Sequence, residues 1–280
     1  MQAPREDAPL FEGLERAIVR VGAFVVGAAG RIRPVTDKLN DAENPTTDVD
    51  RETDVLLHEA LMAPFAGGPA PVYLSEERPD DRARLQAREV FIVDPIDGTR
   101  NLLAGRLEAT ISVALWRDGD LAWGCVHQPF TGETFTAVRG GGAWLNGAPI
   151  RATTATCLST STLYLSNHEH RKGWLAPIEG LVRCEIVGSC AYKMACVAAG
   201  MCDGTLTVNP RSQWDVAAGV LLVQEAGGIV TDARGRPYTF NLPELLVDGV
   251  AASGTPLHPA LLTLADALRG QVGGGSTSGS

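Results

Sequence analysis

The sequence predicts a mixed α/β protein built from two unlike halves, an antiparallel meander and an alternating α/β run. Three observations carry this expectation. Apolar residues recur at helical spacing over 9–30. Short apolar runs parted by Gly-containing turns then follow between 90 and 145. After Arg151, strand-length apolar runs alternate with helix-length ones, several of which stop at glycine.

In the first half, Leu10, Leu14, Ile18, Val21, Val25 and Val26 make one stripe of an amphipathic helix. A second helix is expected from Arg51 to Met62, carrying Val55, Leu56 and Leu61 and stopped by Pro64, which cannot continue a helix. Val72-Tyr73-Leu74 is strand-like, and Val90-Phe91-Ile92-Val93, ended by Asp94-Pro95, reads as a buried strand. Ala109 to Trp116, Gly124 to His127, Thr134 to Val138 and Ala143 to Leu145 continue the meander through turns at Asp118-Gly119, Thr131-Gly132 and Gly140-Gly141-Gly142.

In the second half, strands are expected at Ser161 to Ser166, Arg183 to Val187, Gly204 to Val208, Ile229 to Thr231 and Gly249 to Ser253. Helices are expected at His168 to Leu181, Tyr192 to Ala199 and Val216 to Ala226. The division is therefore 1–152 and 153–270, two halves sharing one interface, followed by a flexible tail at 271–280 in which Gly273 to Ser280 are only Gly, Ser and Thr.

Composition narrows the function classes. A 45% hydrophobic and 20% charged chain can bury a core, which excludes a disordered polymer. A net charge of −9 argues against a general binder of nucleic acid polymers, which needs a basic face. The early apolar stretch 17–30 is broken by Arg20 and too short to span a bilayer, and the acidic flank Met1 to Arg16 is unlike an export signal. The six cysteines (Cys125, Cys157, Cys184, Cys190, Cys196, Cys202) form no Cys-x-x-Cys pair and read as reduced packing thiols of a cytoplasmic protein.

The densest chemical constellation is Asp94-Pro95-Ile96-Asp97-Gly98-Thr99, directly after the apolar strand. Two acids around a proline-fixed turn can converge, and converging carboxylates repel unless a cation neutralises them. Oxygen-only ligands suit Mg²⁺. Gly98-Thr99 then offers backbone N–H groups where a helix could start, an anion site. Metal plus anion site means phosphate, against the plainer reading of a capped turn with solvated acids. A haloacid-dehalogenase nucleophile is excluded by counting, since Pro95 stands where Asp-x-Asp-Gly-Thr needs its first Asp. Further acids stand at Glu76-Glu77, at Asp50 within Thr46-Thr47-Asp48-Val49-Asp50, and at Trp214-Asp215, where a helix cap is an equal explanation for Asp50 and Asp215.

Together, Ser75-Glu76-Glu77, Asp94 to Thr99, Trp214-Asp215-Val216-Ala217-Ala218-Gly219 and Glu225-Ala226-Gly227-Gly228 resemble the inositol monophosphatase superfamily, Mg²⁺-dependent, lithium-sensitive phosphomonoesterases, in order and spacing over most of 10–255. The resemblance implies a five-layered α-β-α-β-α sandwich, two to three Mg²⁺ ions and, by analogy, a homodimer. It implies that Glu76, Asp94 and the Ile96 carbonyl hold a first ion, that Asp94, Asp97 and Asp215 hold a second, and that Asp50 and Glu76 hold a weaker third. Glu76, Thr99 and Asp50 would be the catalytic set, with Gly98 and Thr99 on the phosphate and Asp97 and Asp215 facing substrate as well as metal.

Substrate choice is read from departures. The glutamate that inositol-preferring members keep before Trp-Asp is missing, because Thr207-Val208-Asn209-Pro210-Arg211 contains no carboxylate. Gly188-Ser189, Lys193 and Val197-Ala198-x-Gly200 resemble the bisphosphate nucleotidase branch, whereas Arg100-Asn101 is closer to the inositol-type Thr-Asn. Ser189, Lys193 and Arg211 are therefore the expected leaving-group contacts, and a nucleotide-like phosphate such as adenosine 3′,5′-bisphosphate is the expected substrate. Inositol-1-phosphate, sugar phosphates and histidinol phosphate are the alternatives. A catalytically silent metal-binding scaffold is the alternative of another class, and it would be expected to have lost a ligand or Thr99.

Overall fold

The computed structural model describes residues 7–35 and 46–274. Helix α1 (Ala8–Ala28) and helix α2 (Asp48–Met62) pack side by side, and a short ribbon of β1 (Pro34–Val35) and β2 (Thr46–Thr47) precedes α2. The main sheet follows as β3 (Val72–Ser75), β4 (Glu89–Asp97), β5 (Thr110–Arg117), β6 (Asp120–Gln128), β7 (Glu133–Val138), β8 (Gly142–Leu145) and β9 (Ala148–Pro149), in spatial order. Strand β3 is parallel to β4, and every later neighbour is antiparallel, the expected meander. Short helix α3 (Thr99–Leu103) starts where β4 ends.

The second sheet has the order β11-β10-β12-β16-β14, from β10 (Thr162–Ser166), β11 (Arg183–Val187), β12 (Gly204–Thr207), β14 (Gly228–Thr231) and β16 (Val250–Gly254). Strands β10, β11 and β12 run parallel. Helices α4 (Asn167–Arg171), α5 (Cys190–Ala198), α6 (Gln213–Glu225) and α7 (His258–Gly274), with a ribbon of β13 (Arg211–Ser212) and β15 (Leu246–Val247), complete the chain.

Three cores separate five layers. Leu14, Ile18 and Leu57 of α1 and α2 pack on Phe91, Val93 and Trp123 of the first sheet. Helices α5 and α6 fill the space between the sheets, and α7 covers the far face of the second through Leu261, Leu264 and Leu268. Helix α6 is apolar on all sides, as a helix buried between two sheets should be. Its small residues let backbones approach: a Cβ on Gly219 would lie 2.7 Å from Met194 Cβ of α5, and one on Gly124 of β6 would lie 3.2 Å from Ala218 Cα.

Several expectations are corrected. The helix expected over 168–181 is only α4, followed by a 3₁₀ turn at Ala176–Ile178. Gly173 has φ of 71°, in the left-handed region, and Pro177 lacks an N–H, so a continuous helix cannot pass. Helix α2 starts at Asp48, not Arg51, because the Thr47 side chain accepts from the Asp50 N–H and caps it. Helix α7 was not expected, and it runs into the segment read as tail, of which 275–280 lie outside the described residues. No cysteine is bridged, yet Cys157 is exposed in a loop and is not a packing thiol. Among the described residues no helix is long and apolar enough to cross a membrane.

Candidate active site

The carboxyl ends of the parallel strands of both sheets open onto one cleft, the usual place for a ligand in such sheets. Strand β3 delivers Glu76, β4 delivers Asp94 to Thr99, and β10, β11 and β12 deliver residues 166–168, 187–190 and 210–212. The cavity measures about 310 Å³ and is lined by two sets of residues of opposite charge. Glu76, Asp94, Asp97 and Asp215 form the acidic one; Arg100, His168, Arg171, Lys193 and Arg211 form the basic one.

Local structure fixes each acid. Asp50 and Asp215 occupy the third helical position of α2 and α6, and each folds one oxygen back onto its N-cap backbone: Thr47 N–H donates to Asp50 Oδ2 at 2.8 Å, and Ser212 N–H to Asp215 Oδ2 at 3.0 Å. In Asp50 the cap and the bond toward Thr99 use different oxygens of the same carboxylate. Asp50 Oδ1 accepts from Thr99 Oγ1 at 2.5 Å, so Asp50 stands behind Thr99 and does not itself line the cavity. Asp94 Oδ1 accepts from the Ile96 N–H at 3.0 Å, and Thr99 Oγ1 also lies 3.0 Å from the Ile96 carbonyl.

The turn carrying Glu76 is clamped by a buried acid of α2. Asp54, 3% exposed, accepts from Ser75 Oγ at 2.6 Å, Arg78 Nε at 2.6 Å and Tyr73 Oη at 3.1 Å. Helix α2 thus presents Asp50 to Thr99 and, one turn later, fixes the strand end before Glu76.

Asp97 ties the two halves together. Its Oδ2 accepts from Ser189 Oγ at 2.7 Å and Ala191 N–H at 2.6 Å. Ser189 caps α5 from a left-handed backbone with φ of 58°, and its oxygen also accepts from Tyr192 N–H at 2.9 Å. With its one proton given to Asp97, Ser189 leaves Thr110 Oγ1, 2.9 Å away, as the donor between those two hydroxyls. Gly188 is required beside it, since a Cβ there would lie 2.0 Å from Asn101 Nδ2. The Ser189 hydroxyl is therefore committed to the wall of the cleft.

The basic wall is less uniform. Lys193, 4% exposed, donates to Ser189 O at 2.9 Å and reaches Val187 O at 3.5 Å, while burial lowers its pKa. Arg211 makes one long bond, Nη2 to Thr207 Oγ1 at 3.4 Å, and its buried Nε has no partner among the described residues. Thr207 Oγ1 in turn donates to Glu169 Oε1 at 2.6 Å, which also accepts from the Val208 N–H at 3.0 Å.

Electrostatics mark the acidic wall as unbalanced. Burial first, then Glu76, Asp97, Asp215 and Asp50, push the Asp94 carboxyl well above the ordinary range. Burial and Asp97 push Asp215 up to about 7 despite Arg211 and Lys193, and burial raises Asp50 as well. Among the described residues no three acids, histidines or cysteines converge closely enough to hold an ion as they stand.

Sequence reasoning found the acids, Gly98-Thr99, Ser189, Lys193 and Arg211. It missed Arg100, His168 and Arg171 as cleft residues and Asp54 as the clamp. The polar run Asn167-His168-Glu169-His170-Arg171 directly after an apolar strand was the available signal, because strand-to-helix junctions line such clefts.

A family profile described as "Inositol monophosphatase family" matches residues 7–268. An inositol-1-monophosphatase of Rhizobium meliloti is 33% identical over 237 residues, 81% of this chain and 86% of that protein. A putative Nus factor SuhB of Neisseria meningitidis is 32% identical over 237 residues, 81% of this chain and 88% of that protein. Among solved structures, Thermotoga maritima IMPase superposes with a TM-score of 0.81 at 26% identity, covering 92% of this chain and 97% of that one.

Proposed function

The chain belongs to the inositol monophosphatase family and is a phosphoric monoester hydrolase, and from that premise we propose that it is Mg²⁺-dependent and acts on a nucleotide or nucleotide-like phosphate such as adenosine 3′,5′-bisphosphate. The observation that carries the substrate reading is the half-buried Arg211 in the cleft wall, whose buried Nε has no partner among the described residues. An under-used donor of fixed charge suits a phosphorylated substrate better than a neutral one. Trp214 and the 55% exposed Leu246 line the same cleft and offer an apolar surface to a base.

The donor set suits a hard divalent cation. Glu76, Asp94, Asp97 and Asp215 offer only oxygen, and the raised Asp94 carboxyl reports crowded negative charge that a cation would relieve. In this reading Glu76, Asp94 and the Ile96 carbonyl would hold one ion and Asp94, Asp97 and Asp215 a second, whereas Asp50, expected to help hold a third, stands outside the cavity with both oxygens bonded to Thr47 and Thr99. Bound Mg²⁺ supplies positive charge that acidifies water and stabilises the phosphoryl oxygens.

The chain's own groups do the rest. Thr99 Oγ1 has one proton between two acceptors, Asp50 Oδ1 and the Ile96 carbonyl. When that proton goes to Asp50, the Thr99 oxygen accepts one from the attacking water. Burial makes Asp50 a stronger base than an ordinary aspartate, which favours this direction. Intrahelical bonds of α3 begin with Asn101 N–H to Gly98 O at 2.8 Å, so the Gly98 and Thr99 N–H groups precede the ladder and suit a phosphate. Ser189 and Asp97 hold the β11–α5 turn in place, and Lys193 adds positive charge behind it.

Inositol-1-phosphate is the second reading, favoured by what the Rhizobium relative is named for. It lacks a carboxylate for the ring hydroxyls: residues 207–211 contain none, and Glu169, which reaches Thr207 and Val208, is 0% exposed behind them. The test is phosphate release, with Mg²⁺ and with chelator, from adenosine 3′,5′-bisphosphate, nucleoside monophosphates, inositol-1-phosphate, histidinol phosphate and hexose phosphates. A nucleotide should give the highest kcat/KM. Inositol-1-phosphate at least tenfold above every nucleotide overturns the substrate reading, and no release from any ester overturns the activity.

A further inference from the structure

The mouth of the cleft carries a second cluster that hydrolysis of the ester does not use. Arg100 follows Thr99 on α3 and reaches across to α4, where its Nη1 lies 3.1 Å from His168 Nδ1. Arginine only donates, so His168 accepts at Nδ1, and the neutral ring carries its proton on Nε2. The ring is set edge-on against Trp174, with centroids 5.7 Å apart and planes at 78°. Arg171, three residues further along α4, is exposed and lines the same cleft. The one acid of α4, Glu169, turns inward to Thr207 and Val208.

We propose that Arg100, His168 and Arg171 form an anion subsite that takes a second phosphate on the alcohol part of the substrate. The proposal rests on the phosphatase reading of the same cleft and deepens its substrate choice. The scissile phosphate belongs beside the acids and the first turn of α3, and nothing there calls for two more guanidinium groups. Arg100 leaves that turn toward α4, where His168 and Arg171 line the same cleft. Two guanidinium forks and an imidazole N–H match the several oxygens of a phosphate dianion, and an uncharged polyol offers them no counter-charge. The Arg100–His168 bond pre-sets the arginine across the opening, so little side-chain freedom is lost when the anion arrives.

The test compares matched ester pairs that differ only in the second phosphate: adenosine 3′-monophosphate against 3′,5′-bisphosphate, and fructose 1-phosphate against 1,6-bisphosphate. The readout is the ratio of kcat/KM within each pair at saturating Mg²⁺. The wild-type ratio should favour the bisphosphate in at least one pair. Arg171→Ala should lower that ratio about tenfold, and Arg100→Gln with Arg171→Ala about a hundredfold, each charged contact being worth about a factor of ten or more. Arg171 is exposed, so its variant puts no buried contact at risk. A wild-type ratio near one in both pairs, or equal losses on mono- and bisphosphate in the variants, overturns the subsite. If only the fructose pair shows the preference and its loss, the subsite stands and the nucleotide reading falls.

Discussion

The two walls of the cleft come from the chain by different routes. The acidic wall is largely one strand end: β4 delivers Asp94 and Asp97 within four residues, with Glu76 from the parallel neighbour β3. The basic wall is assembled from separate junctions, Arg100 on α3, His168 and Arg171 on α4, Lys193 on α5 and Arg211 on β13. Burial and neighbouring acids raise the pKa of Asp94 and of Asp215. The bases are held by carbonyls, a histidine or a threonine, so their geometry answers to whatever anion enters. Among the acids only Asp94 and Asp97 are sequence neighbours; Glu76 and Asp215 join them from the end of β3 and from α6, and the basic residues come from α3, α4, α5 and β13.

The largest effects should follow from breaking the acidic wall. Chelation should remove phosphate release altogether, and Mg²⁺ should restore it. Lithium should inhibit if a small monovalent cation can replace one of the ions without supplying its full charge. Asp94→Asn should lower kcat by about a thousandfold or more, because the group shared by two ions is lost. The same change should raise the thermal midpoint of the metal-free protein, since it removes one charge from a crowded buried set. Wild-type turnover in Asp94→Asn would end the metal assignment.

An intermediate effect is expected at Asp54, which touches no proposed ligand yet fixes Ser75 and Arg78 on either side of Glu76. Asp54→Asn keeps the shape but puts an amide opposite the Arg78 guanidinium. Titration calorimetry of Mg²⁺ into the metal-free protein should show affinity weakened about tenfold, a loss near 1.4 kcal/mol. Unchanged affinity would make Asp54 a fold residue only.

A smaller effect is expected on the basic wall. Lys193→Met retains length and packing and removes the charge, so KM for a nucleotide substrate should rise several-fold with kcat nearly unchanged. An equal rise for a small monophosphate such as p-nitrophenyl phosphate would assign Lys193 to holding the Ser189 and Val187 carbonyls and nothing more.

The same contrast explains what was legible in the sequence. The Asp94 to Thr99 run could be read because strand end, proline turn and acids are neighbours. Asp50 and Asp215 were ambiguous between cap and site because both cap a helix, while Asp50 also bonds Thr99 and Asp215 also lines the cleft. Arg100, His168 and Arg171 escaped because facing the cleft depends on how α3 and α4 approach each other. Reading 168–181 as one long helix also hid that α4 ends at Arg171. The meander and the α/β alternation were visible from periodicity, whereas α7 was overlooked although Leu257, Leu261, Leu264, Ala265 and Leu268 sit at helical spacing.

The smallest effect concerns pH and the metal-free fold, where the two walls act against each other. Asp215 titrates at about 7 in the folded chain, against 3.8 as the ordinary value, because burial and Asp97 outweigh Arg211 and Lys193. Asp94 and Asp50 are raised in the same direction, again by burial first. A carboxyl with a raised folded pKa binds its proton more tightly folded than unfolded, so its contribution to stability is fully present below the ordinary value. That contribution fades as pH rises through the folded value. In chelator, the thermal midpoint should therefore fall by several degrees between about pH 5.5 and 8, and Asp215→Asn should flatten the slope. Saturating Mg²⁺ should lift the midpoint most at the alkaline end, because the ion binds the deprotonated acids. A midpoint that rises with pH in chelator over this window would mean that the basic wall already compensates the acids, and that the cleft needs no cation to be stable at neutral pH.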